Sequence, residues 1–170
     1  MPGSLHRWYS FSWLDMLAER QSVLSGEIEL KRLARLRDML HADDGSVTAT
    51  LRFRKRSGAW VIVELECEAT LALRCQRCLD PMLHAVEARV ELGLVESASM
   101  AARLPEGCEP VVLERERLMP AQLIEDELIV SLPLMPKHAR PEECGGLVSQ
   151  RSDASTNAAW TLDCAPSGKH

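Results

Sequence analysis

Trp60-Val61-Ile62-Val63-Glu64-Leu65-Glu66-Cys67-Glu68-Ala69-Thr70-Leu71-Ala72-Leu73 alternates almost without a break. Val61, Val63, Leu65, Cys67, Ala69, Leu71 and Leu73 fall on one side, and Glu64, Glu66, Glu68 and Thr70 on the other. Successive side chains of a strand point to opposite faces, so the pattern predicts a long antiparallel strand with one wet face. The segment 47–54 alternates in the same way, with Val47, Ala49, Leu51 and Phe53 opposite Thr48, Thr50, Arg52 and Arg54. Ser57-Gly58 is the turn between the two. The segment 82–95 returns as a third strand through His84, Val86, Ala88, Val90, Leu92 and Leu94. Arginines on the first strand and glutamates on the second are placed to pair across the wet face, each pair worth a few tenths of a kcal/mol.

Outward from this centre the pattern becomes helical. Leu33, Leu36, Met39 and Leu40 form a stripe that predicts an amphipathic helix over 31–40, preceded by a short strand at 27–30. Leu14, Met16 and Leu17 predict a short helix within 12–24. Leu123, Ile124, Leu128, Ile129 and Leu132 predict another over 121–132, with Pro120 at its start and Pro133 and Pro136 beyond its end. The segment 96–110 reads as a loop and 111–113 as a short edge strand. The fold class expected is α+β: an antiparallel sheet with a Cys-x-x-Cys hairpin and two or three packing helices, over a single domain 1–148. The stretch 149–170 has no periodic segment and reads as a disordered tail.

Composition narrows the class. The chain has 170 residues, 46% hydrophobic and 26% charged, enough for one cored soluble domain. No apolar run reaches membrane-spanning length and no signal-peptide pattern opens the chain, so a cytoplasmic address is expected, with no membrane partner. In a reducing compartment a close cysteine pair is metal-binding, catalytic or inert rather than disulfide-forming. The net charge of −5 is unevenly spread. Residues 31–56 hold eight basic and three acidic side chains, whereas 96–143 hold ten acidic and five basic.

Cys75-Gln76-Arg77-Cys78 sits where the second strand turns into the third. Two thiolates at that spacing form half of a tetrahedral zinc site. His138 and Cys144 are candidates to complete it, and His84 is a third. Reduced thiols capping a hairpin are an equal reading. A thiol redox switch is weaker, because a redox pair belongs at a helix N-terminus rather than between strands. Cys67 belongs to the core; Cys108 and Cys164 receive no role. Arg52, Arg54, Lys55 and Arg56, with Arg35 and Arg37 upstream, are candidates to follow an RNA backbone, and Trp60 to stack on a base. A solvated face paired with glutamates is the alternative. Glu125, Asp126 and Glu127 lie about 100° apart around a helix and do not converge on one metal. They read as a solvated face, or as a docking surface for a basic partner. No nucleophile triad, phosphate loop or His-Glu-x-x-His pattern appears, so neither an enzyme nor a small-molecule substrate is expected.

The segment 65–81, with Cys75, Arg77 and Cys78 in place, resembles the central hairpin of the YceD-type large ribosomal RNA subunit accumulation proteins. Ile124-Glu125-Asp126-Glu127-Leu128-Ile129, then Ser131-Leu132-Pro133-Leu134, Pro136, His138 and Cys144, resemble that family's second signature. The similarity extends over about residues 20–146. It implies a non-catalytic ribosome-biogenesis factor supporting synthesis, processing or stability of 23S rRNA, with rRNA, its precursor or an assembly protein as partner. A protein-only adaptor acting on rRNA indirectly is the alternative. Some members carry further cysteines after the second signature, where this chain has Cys144-Gly145-Gly146, so structural zinc stays one reading among those above.

Overall fold

The structure, a computed structural model, describes residues 4–57 and 60–144. The expected tail at 149–170, Cys164 and Gly58 of the expected turn lie outside the described residues. In chain order the elements are β1 (Tyr9–Ser10), α1 (Phe11–Glu19), β2 (Val23–Glu29), α2 (Ala34–Arg37), β3 (Ser46–Arg56), β4 (Trp60–Arg74), β5 (Pro81–Val95), α3 (Ala98–Ala101), β6 (Glu109–Val112), β7 (Arg117–Leu118) and α4 (Pro120–Val130). The fold is α+β, as the alternation predicts.

The main sheet runs β2-β3-β4-β5-β6. Its first four strands are an antiparallel meander. Val47, Leu51 and Phe53 of β3 and Val63, Leu65 and Leu71 of β4 are buried on the inner face. Each such side chain contributes about 1.5–3 kcal/mol of burial. Leu14 and Ala18 of α1 and Leu123, Ile124 and Leu128 of α4 pack on that core. Ser10 caps α1 by accepting the Trp13 amide at 3.4 Å. On the open face Arg52 pairs with Glu66 as expected, and β5 joins the network in a way not expected: Arg54 pairs with Glu91, and Arg89 with both Glu64 and Glu66.

Three expectations are corrected. The helix expected at 31–40 is broken: a 3-10 turn at Leu30–Arg32 is followed by the four-residue α2. Leu33 lies between them at φ −98°, ψ 87°. Leu33 and Leu36 are still buried while Met39 is exposed, so the stripe marks buried positions without sustaining a helix. The expected edge strand is β6, displaced to Glu109–Val112 and parallel to β5 rather than antiparallel. The connection before it is not all loop, since it contains α3. Its Leu104 side chain lies over Gly93, where an added Cβ would meet Leu104 Cδ2 at 2.6 Å. A two-stranded sheet of β1 and β7, too short to read as a pattern, ties the N-terminal segment to the start of α4.

Candidate metal centre

The β4–β5 hairpin closes at Arg74 opposite Pro81, which puts Cys75 and Cys78 in its turn. The Cys75 amide donates to the Asp80 carbonyl at 2.9 Å and the Leu79 amide to the Cys75 carbonyl at 2.9 Å. Leu79 takes a left-handed φ of 67° to close the turn. A second segment comes from beyond α4, where Pro133 and Pro136 forbid further helix. The Gln76 amide donates to the Pro136 carbonyl at 2.8 Å, which lays that segment against the turn.

Cys75, Cys78, His138 and Cys144 converge there, with their ligand atoms all within 4.8 Å of one another. Cys78 Sγ and Cys144 Sγ lie 3.5 and 3.6 Å from His138 Nδ1. A tetrahedral zinc with bonds of about 2.0–2.3 Å has donor–donor edges of roughly 3.5 Å, so these separations and this donor set fit the ion. The three cysteines are buried and form an apolar cluster of their own with Met82. His84, the other candidate, lines a groove beside residues 137–139 instead.

The surroundings favour thiolate at Cys75. Burial works against the Cys75 thiolate, but hydrogen bonds from the backbone of Cys78, His138 and Arg77 outweigh it and hold the group at about 5. Burial pushes Cys78 in the other direction, to about 11. Arg77 supplies the counter-charge. Its Nε donates to Cys144 Sγ at 3.0 Å, and its Nη2 donates to the His138 and Arg140 carbonyls at 3.0 and 3.2 Å. One guanidinium therefore sets a positive charge beside Cys144 and fixes the backbone that carries two of the candidate ligands. The Cys-x-Arg-Cys pattern contained this residue, but nothing in the sequence showed that its side chain reaches across to 138–144.

The other candidates are placed differently. Arg52, Arg54 and Arg56 lie along β3 with ion pairs to Glu66, Glu91 and Glu91. Lys55 points to the opposite side and pairs with Asp15 of α1. Trp60 opens β4 opposite Arg56 and is half-buried. Glu125 is not on a solvated face. It is buried, with Oε1 accepting the Arg35 and Leu36 amides at 2.7 and 3.2 Å and Oε2 paired with the Arg35 guanidinium at 2.9 Å. Asp126 takes the same guanidinium at 2.6 Å. Glu127 is half-buried with its carboxyl pushed up, first by burial and then by Glu109. Cys67 is buried on the inner face and its thiol is pushed up to about 11, by burial first and by Glu127 and Glu68. No helix is long and apolar enough to cross a membrane, among the described residues.

A meander with a Cys3His cluster tying its central hairpin to a Pro-rich C-terminal segment defines a small scaffold held by a side-chain clasp. The chain belongs to the family described as "Large ribosomal RNA subunit accumulation protein YceD", whose model matches residues 63–166. A protein of that name from Haemophilus influenzae is 29% identical over 128 residues, which cover 75% of this chain and 73% of that one. No solved structure matches.

Proposed function

We propose that this protein is a non-catalytic ribosome-biogenesis factor in the cytoplasm, supporting the synthesis, processing or stability of 23S rRNA. Family membership carries this reading: the matched stretch includes the hairpin turn, α4 and all four residues of the Cys3His cluster. Structural zinc held by Cys75, Cys78, His138 and Cys144 would supply folding energy where a cluster of thiols stands apart from the main apolar core. What these residues do themselves is bind and orient: they join the hairpin turn to the segment after α4, with Arg77 balancing the charge.

Two routes to rRNA follow from the candidate surfaces. Direct contact would use Arg52, Arg54, Lys55, Arg56 and Trp60. Contact through a basic assembly protein would use acidic surface, of which Asp126 and Glu127 are the accessible part of the α4 cluster. Asp126 of the second already holds the Arg35 guanidinium, and all four cations of the first already hold intramolecular carboxylates. Phosphate would have to displace those partners.

The test is the ratio of large- to small-subunit rRNA in a deletion strain, complemented by wild type or by Cys75→Ser with Cys78→Ser. A fall in the large-subunit species, restored by wild type and not by the double variant, is the expected result. An unchanged ratio on deletion removes the rRNA reading. Replacing Arg52, Arg54 and Arg56 by Glu separates the routes: loss of an RNA cross-link in a folded protein would assign direct contact to that face.

A further inference from the structure

The outer edge of β5 is bare over part of its length. β6 pairs with β5 only from Leu92 to Val95. At the other end, Lys137, His138, Ala139 and Glu143 line a groove against Pro81 to Ala85. Between these, over residues 86–91, no strand and no backbone hydrogen bond meets the outer edge, among the described residues. Alternate residues of β5 are satisfied by β4, and the intervening ones direct their N–H and C=O groups outward. A bare edge of about 20 Å is a template for an added strand unless charge or cover protects it.

Charge here selects a partner more than it protects. On the open face Glu87 stands directly opposite Glu68 of β4. Like charges directly opposite destabilise a sheet. The neighbouring Glu64–Glu91 pair has Arg54, Arg56 and Arg89 to relieve it, but no ion pair reaches Glu68 or Glu87 among the described residues. On the inner face, Glu127 of α4 is within electrostatic reach of both Glu109, at the start of β6, and Cys67, which β4 holds opposite Ala88. That side therefore also carries two carboxylates in mutual repulsion, and no ion pair relieves either among the described residues. Val86, Ala88 and Val90 offer inner-face apolar positions between the two acidic flanks.

We propose that residues 86–91 of β5 form a slot that takes a short, extended, basic polypeptide segment as an added strand. Backbone pairing would supply the affinity, alternate Lys or Arg side chains would meet Glu68 and Glu87 on the open face, and the apolar residues between them would lie beside Ala88 and Val90 on the inner face. A second copy of this chain does not fit. Its own β5, laid antiparallel and centred in the slot, would carry residues 81–85 onto the line of β6. A nucleic acid does not fit either, since its phosphates would face four carboxylates. The inference rests on the proposed function only for the identity of the partner, a basic assembly protein.

The test uses the full chain and a short synthetic peptide of alternating Val and Lys, labelled for fluorescence anisotropy. Binding is expected to weaken roughly tenfold with Glu68→Gln and Glu87→Gln together, a change that relieves repulsion and should not unfold the sheet. The same peptide with N-methylated backbone amides keeps every charge but cannot pair with an edge, and it should lose binding. Hydrogen exchange should slow within 86–91 when the parent peptide is added. Equal binding of the N-methylated peptide, or displacement of the parent by a single-stranded oligoribonucleotide, overturns the proposal. Neither result depends on the rRNA ratio, so the slot and the rRNA reading fail separately.

Discussion

Glu125 holds a break in the chain together. One of its oxygens accepts two backbone amides, from Arg35 and Leu36, and the other takes the Arg35 guanidinium. These amides belong to α2, a four-residue helix that cannot satisfy its own first turn. Glu125→Ala leaves the buried Leu36 amide and the part-buried Arg35 amide without their acceptor, and should cost about 2–4 kcal/mol. Arg35→Ala should cost about 1 kcal/mol or less, because the guanidinium is largely exposed and its pair is screened. Urea unfolding of the two variants checks the asymmetry; equal costs would mean that the charge pair, not the amide cradle, matters. The sequence showed three adjacent carboxylates, of which Glu125 and Asp126 meet on one guanidinium, that of Arg35. It could not show that one of them is buried against a segment 90 positions upstream. Cys67 was legible as a core residue from alternation alone. With its thiol pushed up to about 11 by burial, it should resist alkylation in the folded protein while the half-buried Cys108 reacts, as peptide mapping after a brief iodoacetamide pulse would report.

At the scale of elements, strands were read well and helices less so. Alternation over β3, β4 and β5 is a local signal that burial of one face enforces, and the strand ends agree to within a residue or two. The stripe at 31–40 misled because short turns and a helix bury leucines at the same spacing, and the Glu125 clasp stabilises the broken form. The Cys-x-x-Cys turn was legible as half a site; its completion depended on where two prolines send the chain after α4. Arg77 is the residue through which this arrangement is best tested. Arg77→Gln removes the donor to Cys144 and the anchor on the His138 and Arg140 carbonyls. Residues of this kind typically change metal affinity by about 10–100-fold. Competition with a chromophoric chelator should show that loss, and hydrogen exchange should show faster opening of the segment after Pro136. Unchanged affinity would make Arg77 a bystander to the four candidate ligands.

The whole molecule concentrates like charge where one strand is left unpaired. Glu127 is the clearest case, since α4 brings it half-buried into the field of Glu109 on β6. Its carboxyl titrates above its usual range, so the folded state holds the proton more tightly than the unfolded chain does. Below the unfolded pKa both states are protonated and nothing is lost; as pH rises through the folded pKa, ionisation costs the fold. Glu127→Gln should therefore raise the melting temperature at neutral pH, by less than about 1 kcal/mol in stability, and the gain should vanish in acid. The parallel return of β6 that creates this meeting was invisible in the sequence, because nothing local distinguishes a parallel edge strand from an antiparallel one. It depends on the connection through α3, which packs Leu104 onto Gly93. Gly93→Ala should cost about 1 kcal/mol, at the low end for overpacking because the obstacle is the far end of one flexible side chain. Leu104→Ala should recover much of that cost. A double-mutant cycle by thermal unfolding measures the coupling. If the two costs simply add, the turn after α3 does not seat on β5 through this contact, and the placement of β6 beside Leu92 needs another cause.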